Sequence, residues 1–582
     1  AMNIATTRAI LSNGGNARGG SPSENLIMIN QATLSHPYHS ENTAGNGLFT
    51  IVETAVMKRL YFSSGGFSVK YGNALSGVLD IETENRIQQN RLNLDLNMVA
   101  AGGGLQRVLN DKVNVQLYGK KTTTDILFKF NKPSFDVVED PTSSNITGIV
   151  NYNYSKTGLI QFFGLYSDDA QKFDLTLQSN KSRYELTSSN QVAGLLWSDV
   201  VRKSWFSKTA VSFSGYNNRW EFSDWYRDNY EYNMKLRWDN TLEINSKMIL
   251  LFGSEGYLDR YDMNFLLPKR RNEFYAGADS VRIRSNDHSL VQGNYVEMQN
   301  KLSRLWSLSM GIREDYHSLS QSLTADIRGS VANEIASNTF LRLSAGTFHQ
   351  YPAITLYDKN SGNPDLKPMR AIHTVVGYEK IADPIQLKIE GYYKWYAKLP
   401  LEDEQKNYTS KGRGFARGVD VFFKGVLGRT SGWISYSFIQ TQRSELDVLN
   451  RRPTIYDITN NIKIVQKTRL GKGFEWSSTA RYASGRPFTP VESGVYDGQY
   501  WTPVYAAKNS GRFPAFKRFD SRISKLFFFG ERKYVVVYIE GLNVFGFKNI
   551  LDYSYSENFA QRSEVKSYFS NRTVVIGFSA SL

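Results

Sequence analysis

The stretch Arg91-Leu-Asn-Leu-Asp-Leu-Asn-Met98 sets Leu92, Leu94, Leu96 and Met98 against Asn93, Asp95 and Asn97. Successive side chains of a β-strand point to opposite faces, so this segment has one apolar and one polar side. A strand between lipid and a wet lumen requires that division. Further on, Asn110-Asp111 reads as a tight turn, and Val113, Val115 and Leu117 alternate with Asn114 and Gln116 on the way back, which predicts a hairpin. Similar units recur at Asn151–Tyr154 with Ile160–Tyr166, at Tyr295–Leu302 with Trp306–Ile312, and at Arg532–Phe545 with Arg572–Leu582. In the final strand Val574, Ile576, Phe578, Ala580 and Leu582 share one face.

Longer polar segments separate some of these units: Phe128–Asn145, Tyr261–Asp287, Tyr351–Arg370, Pro487–Phe519 and Asp552–Ser570. Short turns at one end and long loops at the other make the pattern of an outer-membrane barrel. Residues 91–582 number 492. At about 22 residues per strand plus connection they supply roughly 22 strands, the size at which a barrel lumen is plugged.

Composition agrees. Only 41% of residues are hydrophobic, yet aromatics reach 14%, with 35 Tyr and 34 Phe. Mean hydropathy is −0.42. Apolar runs such as Tyr534–Ile539 and Met248–Phe252 are far shorter than the roughly 18 residues a transmembrane helix needs. A soluble all-β protein such as a propeller shares this composition, so composition alone leaves both readings open. There is no Cys, hence no disulfide, thiolate metal site or Cys nucleophile. The net charge is +15, but no basic tract reaches five residues, and Lys269-Arg270-Arg271 is the densest cluster. Nucleic acid is therefore not an expected partner. Basic loops meet anionic headgroups or anionic solutes.

No catalytic pattern emerges. None of the six histidines, His36, His39, His288, His317, His349 and His373, lies in a His-Glu-x-x-His motif, and no nucleophile elbow is present. Asn13–Gly20 is Gly-rich but lacks the Gly-Lys-Ser/Thr ending of a phosphate loop. The expectation is a protein without enzymatic activity, cofactor or resident metal. In His36-Pro-Tyr-His-Ser40, two histidines three apart with Tyr38 between them suit a metal chelate or an anionic group.

Residues 1–88 differ from the rest. They are rich in Gly, Ser and Asn, with apolar bursts at Leu26–Ile29, Ile51–Met57 and Val78–Ile81 and a short helix expected around Phe49–Met57. Glu84–Asn90 reads as a boundary, which divides the chain into 1–88 and 89–582.

Within that first part, Asn16-Ala-Arg-Gly-Gly20 precedes Glu24-Asn-Leu-Ile-Met-Ile-Asn30. Then Val56-Met-Lys-Arg-Leu-Tyr61 leads through Gly65-Gly66, Tyr71-Gly72 and Leu75-Ser-Gly77 to Val78-Leu-Asp-Ile-Glu-Thr83. This ordered series resembles the plug of TonB-dependent outer-membrane transporters. Asn30-Gln31 stands where the family usually has an Asp-Gly turn. Later stretches are similar to the family's barrel: Ser361-Gly-Asn-Pro-Asp-Leu-Lys-Pro368 with Gly377-Tyr378-Glu379, Gly414-Phe-Ala-Arg-Gly-Val-Asp-Val421, Ser484-Gly-Arg-Pro487, Arg518-Phe-Asp520 and Gly541-Leu-Asn-Val-Phe545. The family's TonB box is not recognisable, and only 17 residues precede Arg18, so a truncated or processed N-terminus is expected. The last residue is Leu582 where an aromatic is usual, with Phe578 on the same face.

The resemblance implies an all-β membrane protein: a barrel of about 22 strands with a small α+β plug in its lumen, in the outer membrane of a Gram-negative bacterium. It implies active import of a scarce nutrient and a TonB-type energising partner. The nutrient is a small molecule, a metal chelate such as a siderophore complex, or an oligomer, and a surface lipoprotein is a further partner it leaves open. Substrate contacts are expected at the plug apices, from Asn13, Asn16, His36, Tyr38 and His39. Plug anchoring is expected from Arg18, Glu24 and Glu53, and a basic outer loop from Lys269, Arg270, Arg271, Arg282 and Arg284. Two other readings stand beside it: a passive porin, and a non-transporting assembly or adhesion component.

Overall fold

The computed structural model describes residues 18–39, 49–131, 136–177, 180–269, 278–357, 363, 365–402, 407–445, 448–496, 498, 501–530, 532–566 and 570–582. Twenty-three strands close into one antiparallel ring. Val448–Pro453 and Asn460–Gly471 both pair with Thr430–Glu445, one at each end of it, so they share a single place and the ring has 22 wall positions. Thr573–Ser581 closes it against Arg91–Asn97, with Phe578 opposite Leu96 and Ala580 opposite Leu94.

Burial alternates along the wall. In Trp225–Asn245, Met234, Leu236 and Trp238 are 58%, 54% and 40% exposed, while Asn233, Lys235, Arg237 and Asp239 between them are buried. The apolar outer face belongs to lipid and the polar inner face to the lumen. Closure leaves no unpaired strand edge, so the backbone groups in the hydrocarbon layer are satisfied within the ring.

Connections at one end run from two to six residues, with two at 203–204, 246–247, 337–338, 428–429 and 472–473. At the other end residues 484–515 and 543–572 fold into small two-stranded sheets, among them Val491–Tyr496 with Trp501–Tyr505 and Ile550–Tyr555 with Arg562–Lys566. The wall is uneven in height. Asn180–Arg202 has 23 residues, whereas Arg91–Asn97 has 7 and Thr573–Ser581 has 9.

Inside the ring lies a separate sheet built from β1 (Asn25–Ile29), β2 (Ala32–Thr33), β5 (Met57–Ser63) and β6 (Gly77–Thr83), in the order β2-β1-β6-β5; β3 (Tyr38–His39) pairs with β4 (Phe49–Thr50) beside it. β1 and β6 run parallel; Leu26–Ile29 of β1 is an unbroken apolar run, as in strands covered on two faces, whereas β6 carries Asp80 and Glu82 among Val78, Leu79 and Ile81. One face packs Ile29, Ile51, Leu79 and Ile81 against Tyr118, Ile149, Phe163 and Val192 of the wall. The other packs Met28, Phe67, Leu75 and Val78 against Phe348, Tyr396 and Ala416. The turn from β1 to β2 has positive φ at Asn30 and Gln31, 48° and 77°. The Asn30 amide holds that geometry by accepting from Thr83 N at 3.0 Å and donating to Thr83 Oγ1 at 2.8 Å. That bond stands in for the conformational freedom of the glycine usual at this turn.

Three expectations are corrected. Around Phe49–Met57 the chain makes a two-residue strand and a single 3-10 turn, Thr54–Val56, rather than a helix. The strand Arg91–Asn97 pairs first with Ala100–Val108, and that strand makes the turn at Asn110-Asp111. Gly102, Gly103 and Gly104 hide its alternation. The segment Tyr261–Asp287 is mostly strand, because Met248–Pro268 and Ser280–Lys301 continue as a paired ladder from Tyr261↔Asp287 to Pro268↔Ser280. Arg282 and Arg284 therefore sit on a strand, not in a loop. A wall that rises beyond the lipid keeps its hydrogen bonds and loses its apolar face, so periodicity fades while pairing continues.

Leu236 lies midway along a tall strand on the lipid face. Leu236→Arg is expected to destabilise the barrel by about 2–4 kcal/mol if that position is at the bilayer midplane. The shift of the urea midpoint in vesicles, followed by the faster gel migration of unboiled folded protein, measures it.

Candidate functional site

The inner sheet is held to the wall by buried charge. The segment Ser68–Tyr71 crosses the lumen between β5 and β6 and presents four backbone carbonyls to three wall guanidiniums. Arg328 Nη1 donates to Ser68 O at 2.8 Å and Tyr71 O at 2.7 Å. Arg237 Nη2 donates to Lys70 O at 2.8 Å, and Arg313 Nη1 to Val69 O and Lys70 O at 3.4 Å. Each guanidinium is neutralised by carboxylates on the same inner face. Arg237 meets Asp239 at 3.0 Å and Glu255 at 2.9 Å, Arg313 meets Glu255 at 2.5 Å and Asp315 at 2.6 Å, and Arg328 meets Asp326 at 2.9 Å. A Cβ on Gly72 would fall 2.3 Å from the Arg313 guanidinium, which is why glycine follows Tyr71. Burial, with Asp80 beside it, pushes the Tyr71 phenol upward, so it stays a neutral donor to Asp80 at 3.0 Å.

None of these wall residues was singled out from sequence. Their signal is the alternation itself: Lys235, Arg237 and Asp239, then Arg313 and Asp315, then Asp326 and Arg328, are charges spaced by two within strands of the wall. Two-residue spacing puts them on one face.

The expected anchors lie at a second seat. Arg18 is buried, with Nε 2.7 Å from Asp420, Nη2 2.8 Å from Glu390 and its guanidinium 4.5 Å from the Tyr392 ring centroid. Glu24 is buried, receives both Nη atoms of Arg443, and accepts from Ser76 Oγ at 2.5 Å. Burial raises the Glu24 carboxyl, but the Arg443 charge and these hydrogen bonds outweigh it and hold it below its usual range. Gly20 is required here, since its Cβ would lie 2.0 Å from Ser76 Oγ. Glu53 accepts from Asn145 Nδ2 at 3.0 Å, with Lys120 at 3.9 Å.

The apex histidines are placed apart. His36 Nε2 lies 3.0 Å from Glu231, and its ring stacks on Tyr216 at 3.6 Å between centroids. A small pocket there is lined by His36, Tyr216, Glu231, Asn233, Asp259 and Tyr261. His39 Nδ1 lies 2.9 Å from Asp169 on a different strand, and Tyr38 is buried in the apolar cluster with Ile29 and Ile51. The structure thus brings His36 to a cavity and takes Tyr38 and His39 into packing. Asn13, Asn16, Arg270 and Arg271 lie outside the described residues. Lys269 pairs with Asp279 at 3.5 Å, Arg282 donates to Tyr226 Oη at 3.2 Å, and Arg284 to Asn264 at 3.2 Å.

A closed barrel of 22 wall positions, with an ion-paired sheet seated in its lumen, defines a plugged outer-membrane transporter. The chain belongs to the TonB dependent receptor-like family, whose β-barrel model matches residues 35–544. That family places it in the bacterial outer membrane, as a transporter and not an enzyme, working with a TonB-type partner. Among solved structures it is similar to the outer membrane transporter YddB from Escherichia coli, at 12% identity and a TM-score of 0.71, covering 97% of this chain and 91% of that one. The FrpB iron transporter from Neisseria meningitidis matches at 11% identity and 0.71, covering 96% and 92%. The siderophore receptor PirA from Pseudomonas aeruginosa matches at 12% and 0.66, covering 97% and 92%. A comparison with curated proteins returns no match.

Two outcomes follow for the seats. Arg313→Ala leaves Glu255 and Asp315 short of a buried partner, and is expected to cost about 3–5 kcal/mol. Faster proteolysis of residues 57–83 with an intact, heat-modifiable barrel would report it. Because the Glu24 carboxyl is held below its usual range, its pairing with Arg443 is intact at neutral pH and throughout the ordinary carboxylate range, and is lost only as pH falls through the lower folded value. Hydrogen exchange at β1, corrected for intrinsic rates, should therefore stay flat from neutral pH down to the ordinary carboxylate range, rise as pH falls below it because the opened state takes up the proton first, and level off below the lower folded value. Glu24→Gln should show the faster exchange at every pH.

Proposed function

We propose that this protein imports a scarce nutrient, an anionic small molecule or metal chelate, with residues 1–88 acting as the gate of a barrel formed by residues 89–582. The observation that carries the reading is the double seat, in which wall arginines grip the carbonyls of Ser68–Tyr71 while Arg18 and Glu24 of the inner segment pair with wall groups. A sheet held this way stays in place on solute binding alone, since a ligand shifts an equilibrium only by its differential affinity for the two states. Opening draws on work from the TonB-type partner.

Capture is assigned to the outer mouth, with His36 and its pocket as the plug-side contact. The His36 ring lines a cavity beside Tyr216 and Glu231. Arg18, Glu24 and Glu53 are assigned to anchoring. The net charge of +15 favours an anionic cargo at the mouth. The iron transporter and siderophore receptor among the similar folds support a metal chelate as one form of it.

Planar-bilayer conductance tests the gate. The full chain is expected to pass little current, and the chain lacking residues 1–85 to form large, steady channels. High conductance from both would make the protein a porin. In cells, accumulation of the cargo should stop when the TonB-type partner is deleted, and accumulation that continued without it would refute active import.

A further inference from the structure

Among the described residues, the hydrogen bonds and ion pairs from 18–88 to the wall strands fall between Val113–Thr123 and Thr430–Glu445, from Asn114 to Arg443. The next three strands, Asn460–Gly471, Phe474–Ala483 and Phe516–Phe528, turn Ile464, Trp476, Tyr482 and Ile523 to lipid. Their lumen face carries a row of cations. Lys463 is directly opposite Arg481, and Arg481 is directly opposite Arg518.

Directly opposed side chains on antiparallel strands have Cβ atoms about 4.5–5.5 Å apart, and like charges so placed repel. A lumen wall selected for stability alone would carry neutral polar groups here. Asp520 engages Arg518, with Nε 2.7 and 2.9 Å from its two oxygens. The Arg481 Nε is buried with no hydrogen-bond partner among the described residues. Lys463 Nζ lies 5.4 Å from the centroid of the Trp433 ring. The contrast with the sheet's seat is direct, because Arg237 and Arg313 are each matched by two carboxylates. The row stands third or fourth from the outer end of its strands, just inside the mouth. Below it on the same face, Arg522 lies 3.6 Å from the Tyr538 ring centroid.

We propose that Lys463, Arg481 and Arg518 form an anion-binding row on the inner wall, for solutes bearing two or more carboxylate or phosphate groups. The guanidinium fork of Arg481 fits either oxyanion, and Lys463 supplies a point charge beside it. One polyanion spanning both relieves their repulsion and satisfies the buried Nε. The site's place on a transport route rests on the import reading; the binding itself does not.

The test uses the full chain in detergent at low salt, titrated calorimetrically with citrate or pyrophosphate, and with acetate as a monovalent comparison. The intact protein should bind the polyanions saturably and acetate far more weakly. A preference for citrate assigns carboxylate solutes to the row, and a preference for pyrophosphate assigns phosphate solutes. The double variant Lys463→Gln, Arg481→Gln should bind at least about tenfold more weakly, the scale of a lost charge-assisted contact. Lys463→Arg should stay within a few-fold of the original, and Lys247→Gln at a short turn should change nothing. Faster migration of unboiled protein certifies each fold, and Arg481→Gln alone is read in the same way if the double variant does not fold. Absence of saturable polyanion binding, or undiminished binding by a folded variant, overturns the row. Uptake independent of the TonB-type partner would overturn the import reading and leave the row standing.

Discussion

Four backbone carbonyls buried in the lumen, those of Ser68, Val69, Lys70 and Tyr71, depend on donors that only the wall supplies. A buried carbonyl without a partner costs about as much as a lost hydrogen bond, and a buried guanidinium without a counter-charge costs far more. Arg237, Arg313 and Arg328 answer the first demand, and Asp239, Glu255, Asp315 and Asp326 answer the second. The sheet's position, the glycine at 72 and the inward charges of four tall strands are parts of one arrangement.

That arrangement separates holding from opening. The apolar contacts of Ile29, Ile81, Met28 and Leu75 with the wall are non-directional and tolerate sliding. The ion-paired contacts fix geometry and fail together once a partner is withdrawn. On the proposed import reading, such a barrel keeps its lumen closed against solute binding and opens on work from the TonB-type partner. The wall from Asn460 to Phe528 stands outside this grip in the described structure, and its inner charges are mainly positive and incompletely balanced. It carries the proposed anion-binding row.

Much of this was legible from residue order alone. The alternation at Arg91–Asn97 and Thr573–Ser581 and the short turns point to a barrel because period-two patterning is a local property, and the glycine series from Gly65 to Gly77 points to a plug through its resemblance to the family. Reading stopped where lipid stopped. The strands through Tyr261–Pro268 and Ser280–Asp287 rise beyond the apolar layer, so Arg282 and Arg284 looked like loop residues, and glycines disguised Ala100–Val108. The motif around Arg18 and Glu24 made them candidate anchors, but the residues they pair with, Asp420, Glu390 and Arg443, lie more than 370 residues away in sequence.

By itself, then, the sequence determined the class of fold, the inward and outward faces of many strands, and the existence of a distinct first segment, since each follows from spacings of a few residues. Tertiary structure decided which charges meet. It sent His36 to a pocket and His39 to Asp169, it matched Arg313 with Glu255 across 58 residues, and it aligned Lys463, Arg481 and Arg518 in one row. Register between neighbouring strands sets those meetings, and register depends on the closure of the whole ring, which no local stretch contains.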